Sequence, residues 1–225
     1  MSARRPGLRP SGPTIVVYTP AFAALLEERR STLKAQLDAY LPKSAPFVWE
    51  IGSGHGHFLV AYATAHPDEV CLGIDIASDR VERAQRKRDR AKLANLHFLQ
   101  AEARLFLDTL DDTTRFSRVF VLFPDPWPKA RHNKHRIIQP GVLAAIAAHA
   151  TPDCRIYFRT DHAEYFAAAR EVFAADPNWQ IEDTPWPFEY ATVFQQRASS
   201  YHSLVAHCRA TAGPAKSAPS LSNAP

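Results

Sequence analysis

Apolar positions along the chain repeat in two different ways. Phe22, Leu25, Leu26, Leu33, Leu37 and Leu41 recur at helical spacing and predict a helix ahead of the main body. Beyond it, apolar runs of strand length stand at Phe47–Ile51, Cys71–Ile76, Leu96–Leu99, Val119–Phe123 and Arg155–Arg159. Helical segments fall between and after them, at His57–Ala65, Asp79–Lys92, Leu105–Leu110, Pro140–Ala150 and Ala163–Ala174. Alternation of this kind predicts an α/β fold with a doubly wound, mostly parallel sheet, whose ligands sit beyond the carboxyl ends of the strands. A last run, Leu204–Cys208, is expected to add an antiparallel edge strand. One domain is expected over 15–210. It is flanked by a disordered, basic, proline-rich start over 1–14 and a disordered Ala/Pro/Ser-rich tail over 211–225.

With 46% apolar residues, the 225-residue chain can bury a core. Its net charge of +4 conceals segregation. Arg80–Lys92 carries seven bases against Glu82 and Asp89, Lys129–Arg136 carries four with no acid, and Arg4, Arg5 and Arg9 add to the basic side. Basic stripes on an acidic body suit a polyanionic partner. Cys71, Cys154 and Cys208 lie far apart, which indicates neither a disulfide framework nor a thiolate zinc site and suits a reducing cytoplasm. No apolar run approaches the roughly eighteen residues of a membrane helix, and Met1–Thr14 lacks the apolar stretch of a signal peptide. The expectation is a cytoplasmic protein, with no membrane association and no protein partner indicated.

Three of the eight glycines, Gly52, Gly54 and Gly56, directly follow the first strand. They predict a turn with positive φ that brings backbone close to a ligand at the start of the next helix; an ordinary tight turn is the plainer alternative. His57 stands where a P-loop needs its Lys-Ser/Thr ending, and a dinucleotide fingerprint would place its third glycine at 57. Each of the first four strands ends near an acid: Glu50, Asp75, Glu102 and Asp125. Carboxylates converging on one crevice raise each other's pKa unless a cation or hydroxyl donors answer them. A dinucleotide offers a pyrophosphate, of the wrong sign. S-adenosylmethionine offers a sulfonium, an ammonium, ribose hydroxyls and an adenine amine. Asp75 is expected at the ribose diol, Glu102 at the adenine edge and Glu50 at the loop backbone or the methionine end, with Gly52 and Gly54 completing the cofactor contacts.

The second dense motif is Phe123-Pro-Asp-Pro-Trp-Pro-Lys129 with its basic continuation to Arg136. Three prolines in five residues fix φ and remove donors, so a stiff loop is expected. Asp125 is expected to face the cofactor and whatever enters beside it, and Trp127 to offer a flat surface to a base or to cover the loop as a core residue. Lys129, Arg131, Lys134 and Arg136 are expected on phosphates of a nucleic acid, against the alternative of a solvated face. His55 and His57, like His132 and His135, have no carboxylate or cysteine at zinc-like spacing, so no metal site is expected.

Glu50-Ile-Gly-Ser-Gly-His-Gly56, Gly73-Ile-Asp-Ile76, the Pro-Asp-Pro-Trp block with its basic tail, and Thr160-Asp161 resemble the bacterial tRNA (guanine-N7-)-methyltransferase family over about Phe47–Arg197. The resemblance implies a Rossmann-like class I methyltransferase domain and methyl transfer from S-adenosylmethionine to N7 of a guanosine in the tRNA variable loop. It implies Glu50, Asp75, Glu102 and Asp125 on the cofactor, Asp125 as the catalytic position, and Lys129 and Asp161 on the substrate. Arg131, Thr192, Gln195 and Arg197 complete the expected substrate contacts. Guanine N7 carries an in-plane lone pair and no proton, so Asp125 is expected to act by charge and positioning rather than as a base.

One departure stands out. The family's Thr-Lys-Phe-Glu-x-Arg segment is here Thr192-Val-Phe-Gln-Gln-Arg197, with Val193 and Gln195 off the pattern. A carboxylate offers two charged acceptors where Gln195 offers one carbonyl, so guanine selection is expected to be weaker or redistributed, for instance to Asp161. The alternative readings are a non-catalytic or substrate-shifted RNA-binding paralogue, a small-molecule methyltransferase, disfavoured by the basic stripes, and a nicotinamide-dependent oxidoreductase. The last shares the sheet and Asp75 but leaves Glu50, Glu102 and the Pro-Asp-Pro loop unexplained.

Overall fold

A computed structural model describes residues 19–43, 45–191, 195–196 and 198–209. The expectations for 1–14 and 211–225, and those for Thr192, Val193 and Arg197, lie outside the described residues.

Seven strands form one sheet: β1 (Phe47–Ile51), β2 (Cys71–Asp75), β3 (Leu96–Gln100), β4 (Phe116–Leu122), β5 (Ala150–Thr160), β6 (Trp179–Glu182) and β7 (His202–Cys208). Their order is β3-β2-β1-β4-β5-β7-β6. The first five run parallel, and β7 runs antiparallel to both of its neighbours. β1 and β2 are buried at every position, which explains why their sequences read as nearly unbroken apolar runs. The strand order reverses between β1 and β4, the switch point beyond whose carboxyl ends ligands bind in sheets of this kind.

β7 has the antiparallel direction expected of the last apolar run but not its expected place at the edge. β6 lies outside it, tied to the body by Trp179, whose indole N–H donates to the Leu143 carbonyl at 3.1 Å. Four residues behind an Asp176–Asn178 turn offer too few positions for alternation to be read.

Helices cover both faces. α2 (His57–Ala65) and α3 (Ser78–Ala91) contribute Phe58, Leu59, Tyr62, Val81 and Ala84 to a core shared with Val48, Phe98 and Phe120. The opposite core joins Trp49, Ile74 and Phe158 to Phe106 of α4 (Ala103–Leu107), Leu143 of α5 (Pro140–Ala148) and Phe173 of α6 (Ala163–Ala175). Ahead of the sheet, α1 (Pro20–Tyr40) begins with Thr19 Oγ1 accepting the Phe22 N–H at 3.4 Å and Pro20 in its first turn. Of its apolar stripe only Leu33 and Leu37 are buried; Phe22 and Leu25 are exposed.

Candidate active site

The three loop glycines all have positive φ, at +74° for Gly52, +53° for Gly54 and +72° for Gly56, but their surroundings differ. A Cβ on Gly56 would lie 2.7 Å from both Ala84 Cβ and Phe98 Cζ, so packing of the loop against α3 and β3 excludes a side chain there. A Cβ on Gly52 or Gly54 would meet nothing within 4 Å, so these two leave an open cradle beside the backbone. Asp75 braces that cradle, accepting the Gly54 N–H on Oδ2 and the Ala77 N–H on Oδ1, both at 2.9 Å. From α3, Lys87 donates to the His55 carbonyl at 2.7 Å, so part of the first basic stripe secures the loop.

Glu50, two residues ahead of Gly52, is 3% exposed, and among the described residues its Oε2 has no hydrogen-bond partner. Burial first, then the nearby Asp75 charge, pushes its carboxyl well above the ordinary range. His55 and His57 are shifted down, by burial first and by Lys87 next, and so favour the neutral form.

Glu102 caps α4, its Oε2 accepting the N–H groups of Arg104 and Leu105, both at 2.9 Å. It also lines a cavity of about 540 Å³ between α1 and the ends of β2 and β3, with Leu25, Gln36, Ile76 and Leu105 among the walls. Helix α1 is therefore part of the candidate site, which its sequence gave no reason to expect. The four acids stand at the ends of four adjacent strands on one edge of the sheet, as expected; Glu50 and Asp75 are buried, Glu102 and Asp125 exposed.

After β4, Phe123 and Trp127 bracket the proline segment with φ of +50° and +46°, a left-handed conformation that bulky side chains rarely adopt. Arg136 holds the loop in that shape. Its Nε–H donates to the Pro126 carbonyl at 2.8 Å, its guanidinium lies 4.8 Å from the Tyr165 ring centre, and it is 4% exposed. The expectation that Arg136 meets a phosphate is thereby corrected, because a cation at that depth is committed to the loop. Lys129, Arg131 and Lys134 are exposed on or beside the 3₁₀ turn Ala130–His135, as a phosphate-facing strip requires. Trp127 is 38% exposed, with the His135 ring 5.0 Å and the His132 ring 5.9 Å away, so it forms a surface rather than a core residue. Asp161 is exposed just past β5.

Sequence reasoning missed Arg159 and Glu189. Arg159, at the end of β5, is 4% exposed and forks onto Glu189, with NH1 2.9 Å from Oε2 and NH2 2.6 Å from Oε1. Its Nε–H donates to Ser203 Oγ at 3.0 Å, and its Cζ lies 3.8 Å from the Trp186 ring centre. The available signal was a cation closing the buried run Ile156-Tyr157-Phe158, where only a fixed partner makes a charge tolerable.

A family model described as "Putative methyltransferase" matches residues 44–208. A tRNA (guanine-N(7)-)-methyltransferase of Caulobacter vibrioides is 36% identical over 166 residues, covering 67% of this chain and 73% of that protein. The chain belongs to the tRNA (guanine-N(7)-)-methyltransferase family. A relative of that name from Synechococcus is 42% identical over 141 residues, 62% of this chain and 59% of that protein. Another, from Alkalilimnicola ehrlichii, is 32% identical over 172 residues, 76% of this chain and 71% of that protein. At lower identity the fold is shared with the antibiotic-resistance methyltransferase Kmr (TM-score 0.53, 21% identity, 78% of this chain and 92% of that one). It is shared too with TrmN of Thermus thermophilus (TM-score 0.53, 15% identity, 80% of this chain and 48% of that one).

Of the tRNA (guanine-N(7)-)-methyltransferase segment that departs from pattern here, Gln195 is described. Its Oε1 lies 3.4 Å from Arg159 NH1, and its amide donates to the Tyr201 hydroxyl at 3.0 Å. Gln195 thus belongs to the Arg159 cluster. Among the described residues no group of three or more His, Cys, Asp or Glu could hold a metal ion, and no helix is long and apolar enough to cross a membrane.

Proposed function

We propose that the protein transfers the methyl group of S-adenosylmethionine to N7 of a guanosine in tRNA. The observation that carries this reading is the glycine cradle: open space at Gly52 and Gly54, next to a buried Glu50 carboxyl with one oxygen unanswered. Such a site favours a ligand with positive charge and hydrogen-bond donors over a pyrophosphate. Backbone at Gly52 and Gly54 and the Glu50 carboxyl would hold the methionine end. Each Asp75 oxygen, after bracing the loop, keeps a lone pair for a ribose hydroxyl. The cavity beside Glu102 and Ile76 has the size of an ordinary ligand pocket and would take the adenine.

When bound, S-adenosylmethionine would supply an electrophilic methyl on a sulfonium: the in-plane lone pair of guanine N7 would bond to that carbon in line as its bond to sulfur breaks, with neutral S-adenosylhomocysteine as the leaving group. No base is required, since N7 carries no proton. Asp125, on a loop stiffened by Pro124, Pro126 and Pro128 and pinned by Arg136, offsets the positive charge that grows on the purine and fixes the approach. Lys129, Arg131 and Lys134 hold the tRNA backbone, and Asp161 lies on the acceptor side.

Incubation with labelled S-adenosylmethionine and bulk tRNA, followed by chain cleavage at N7-methylguanine, is expected to place the label on a single guanosine. Measurable tRNA binding with no transferred label would make the protein a binding module instead.

A further inference from the structure

We infer that Glu189 reads the acceptor base, with Arg159 as the positioning residue that holds it; the inference rests on guanosine being the acceptor. A guanidinium as deep as that of Arg159 needs fixed partners, and it has them in Ser203, Trp186 and both oxygens of Glu189. At the other end of the fork the Glu189 side chain is 61% exposed. A carboxylate anchored through one lone pair on each oxygen still presents one outward lone pair on each. The result is a rigid pair of charged acceptors open to solvent.

Its location is on the acceptor side. The Arg159 carbonyl accepts the Phe123 N–H at 2.8 Å, so the residue holding Glu189 is bonded to the start of the loop that carries Asp125. Tyr201 joins the two, with its ring 6.0 Å from that of Phe123 and 5.1 Å from Arg159 Cζ. In the sheet β5 stands two strands from β1, about 10 Å away at the usual interstrand spacing. Guanine presents N1–H and an exocyclic N2–H side by side, spaced for two carboxylate oxygens, and leaves N7 on the other side of the ring. Adenine has an acceptor at N1 and offers no such pair. Gln195 turns its carbonyl toward the same guanidinium and its amide toward Tyr201, so the charged acceptors at this spot come from Glu189.

The test uses the full chain and two forms of one tRNA, one with guanosine and one with inosine, which lacks only the N2 amine, at the position that becomes labelled. Wild type is expected to favour guanosine over inosine in kcat/KM by about 10-fold, the loss of one charge-assisted hydrogen bond. Glu189→Gln is expected to lower kcat/KM for the guanosine form by about 10-fold or more, mainly through KM, and to bring the guanosine-to-inosine ratio to about 1. An unchanged ratio in a variant that melts and binds S-adenosylmethionine like wild type overturns the inference. If Glu189→Gln does not fold, Glu189→Asp keeps the charge and withdraws it by one methylene; the ratio is again expected to collapse, and its persistence is equally fatal. Failure of wild type to methylate either form defeats the proposed function itself, which keeps the two failures apart.

Discussion

The two halves of the crevice solve the same problem, holding charge at the edge of a sheet, in opposite ways. Under β1 and β2, Glu50 and Asp75 are buried; Asp75 braces the Gly54 and Ala77 N–H groups, and among the described residues Glu50 is left with an unanswered oxygen. Beyond β4 and β5, Asp125 and Asp161 are exposed, and the buried charges are cations, Arg136 and Arg159, each tied to a loop. The donor half thus keeps its polar strain in side chains that a ligand can relieve. The acceptor half stores it in backbone, at the left-handed Phe123 and Trp127, where arginines hold a rigid platform for something large.

The largest effect that tests this contrast is expected at Gly56. Gly56→Ala combines left-handed strain with a 2.7 Å approach to Ala84 and Phe98, and should destabilise the fold by about 3 kcal/mol or more. Gly52→Ala faces open space and should lose only about 1–2 kcal/mol of stability, from strain alone, while S-adenosylmethionine binding weakens. Urea melts with and without the cofactor check both. Equal destabilisation by the two variants would erase the distinction between a packing glycine and a cradle glycine.

Next is Asp125→Asn, which should slow single-turnover methylation by about 100-fold with cofactor affinity intact, the scale of one preorganised electrostatic contact. Undiminished turnover would move the catalytic role off this loop. A smaller effect is expected of Lys129→Ala, Arg131→Ala and Lys134→Ala combined, which should flatten the salt dependence of tRNA binding by about 2–3 log units per log unit of salt. Arg136→Ala should leave that slope alone and lower the melting temperature instead, because its guanidinium faces Pro126 and Tyr165. An unchanged slope in the triple variant would assign the strip to a solvated face.

The glycine loop of the donor half was legible in the sequence because it is local; its distant braces, Asp75 on Gly54 and Lys87 on His55, and the wall supplied by α1 were not. Gly52, Gly54 and Gly56 follow the strand that carries Glu50, and β1 and α2 have the expected boundaries to the residue. The acceptor half was legible in its loop and not in its anchors. Arg159 meets Glu189 thirty residues later and Ser203 forty-four residues later, across strands whose pairing the sequence does not announce. Arg136 reads as one more cation in a basic run; only the tertiary position of Tyr165 and the Pro126 carbonyl separates it from Lys134. The place of β7 failed for a related reason: an apolar run reveals a strand but not its neighbours, and β6 was too short to be read.

The smallest expected effect sharpens the donor side. Burial raises the Glu50 carboxyl in the folded protein above its unfolded value, so the folded state keeps a proton that the unfolded state has already released. Stability from this group is therefore complete below the ordinary carboxylate range and declines as pH rises toward the folded pKa, at up to about 1.4 kcal/mol per pH unit. Glu50→Gln removes the titration, so the cofactor-free variant should gain on wild type as pH climbs from about 4.5. The same change should weaken S-adenosylmethionine binding, since a neutral amide no longer answers a cationic ligand. Melting temperatures of both proteins across that pH range decide it: curves that stay parallel would mean that the buried carboxyl is already ionised and satisfied without a ligand, and the donor half would then have no strain for the cofactor to relieve.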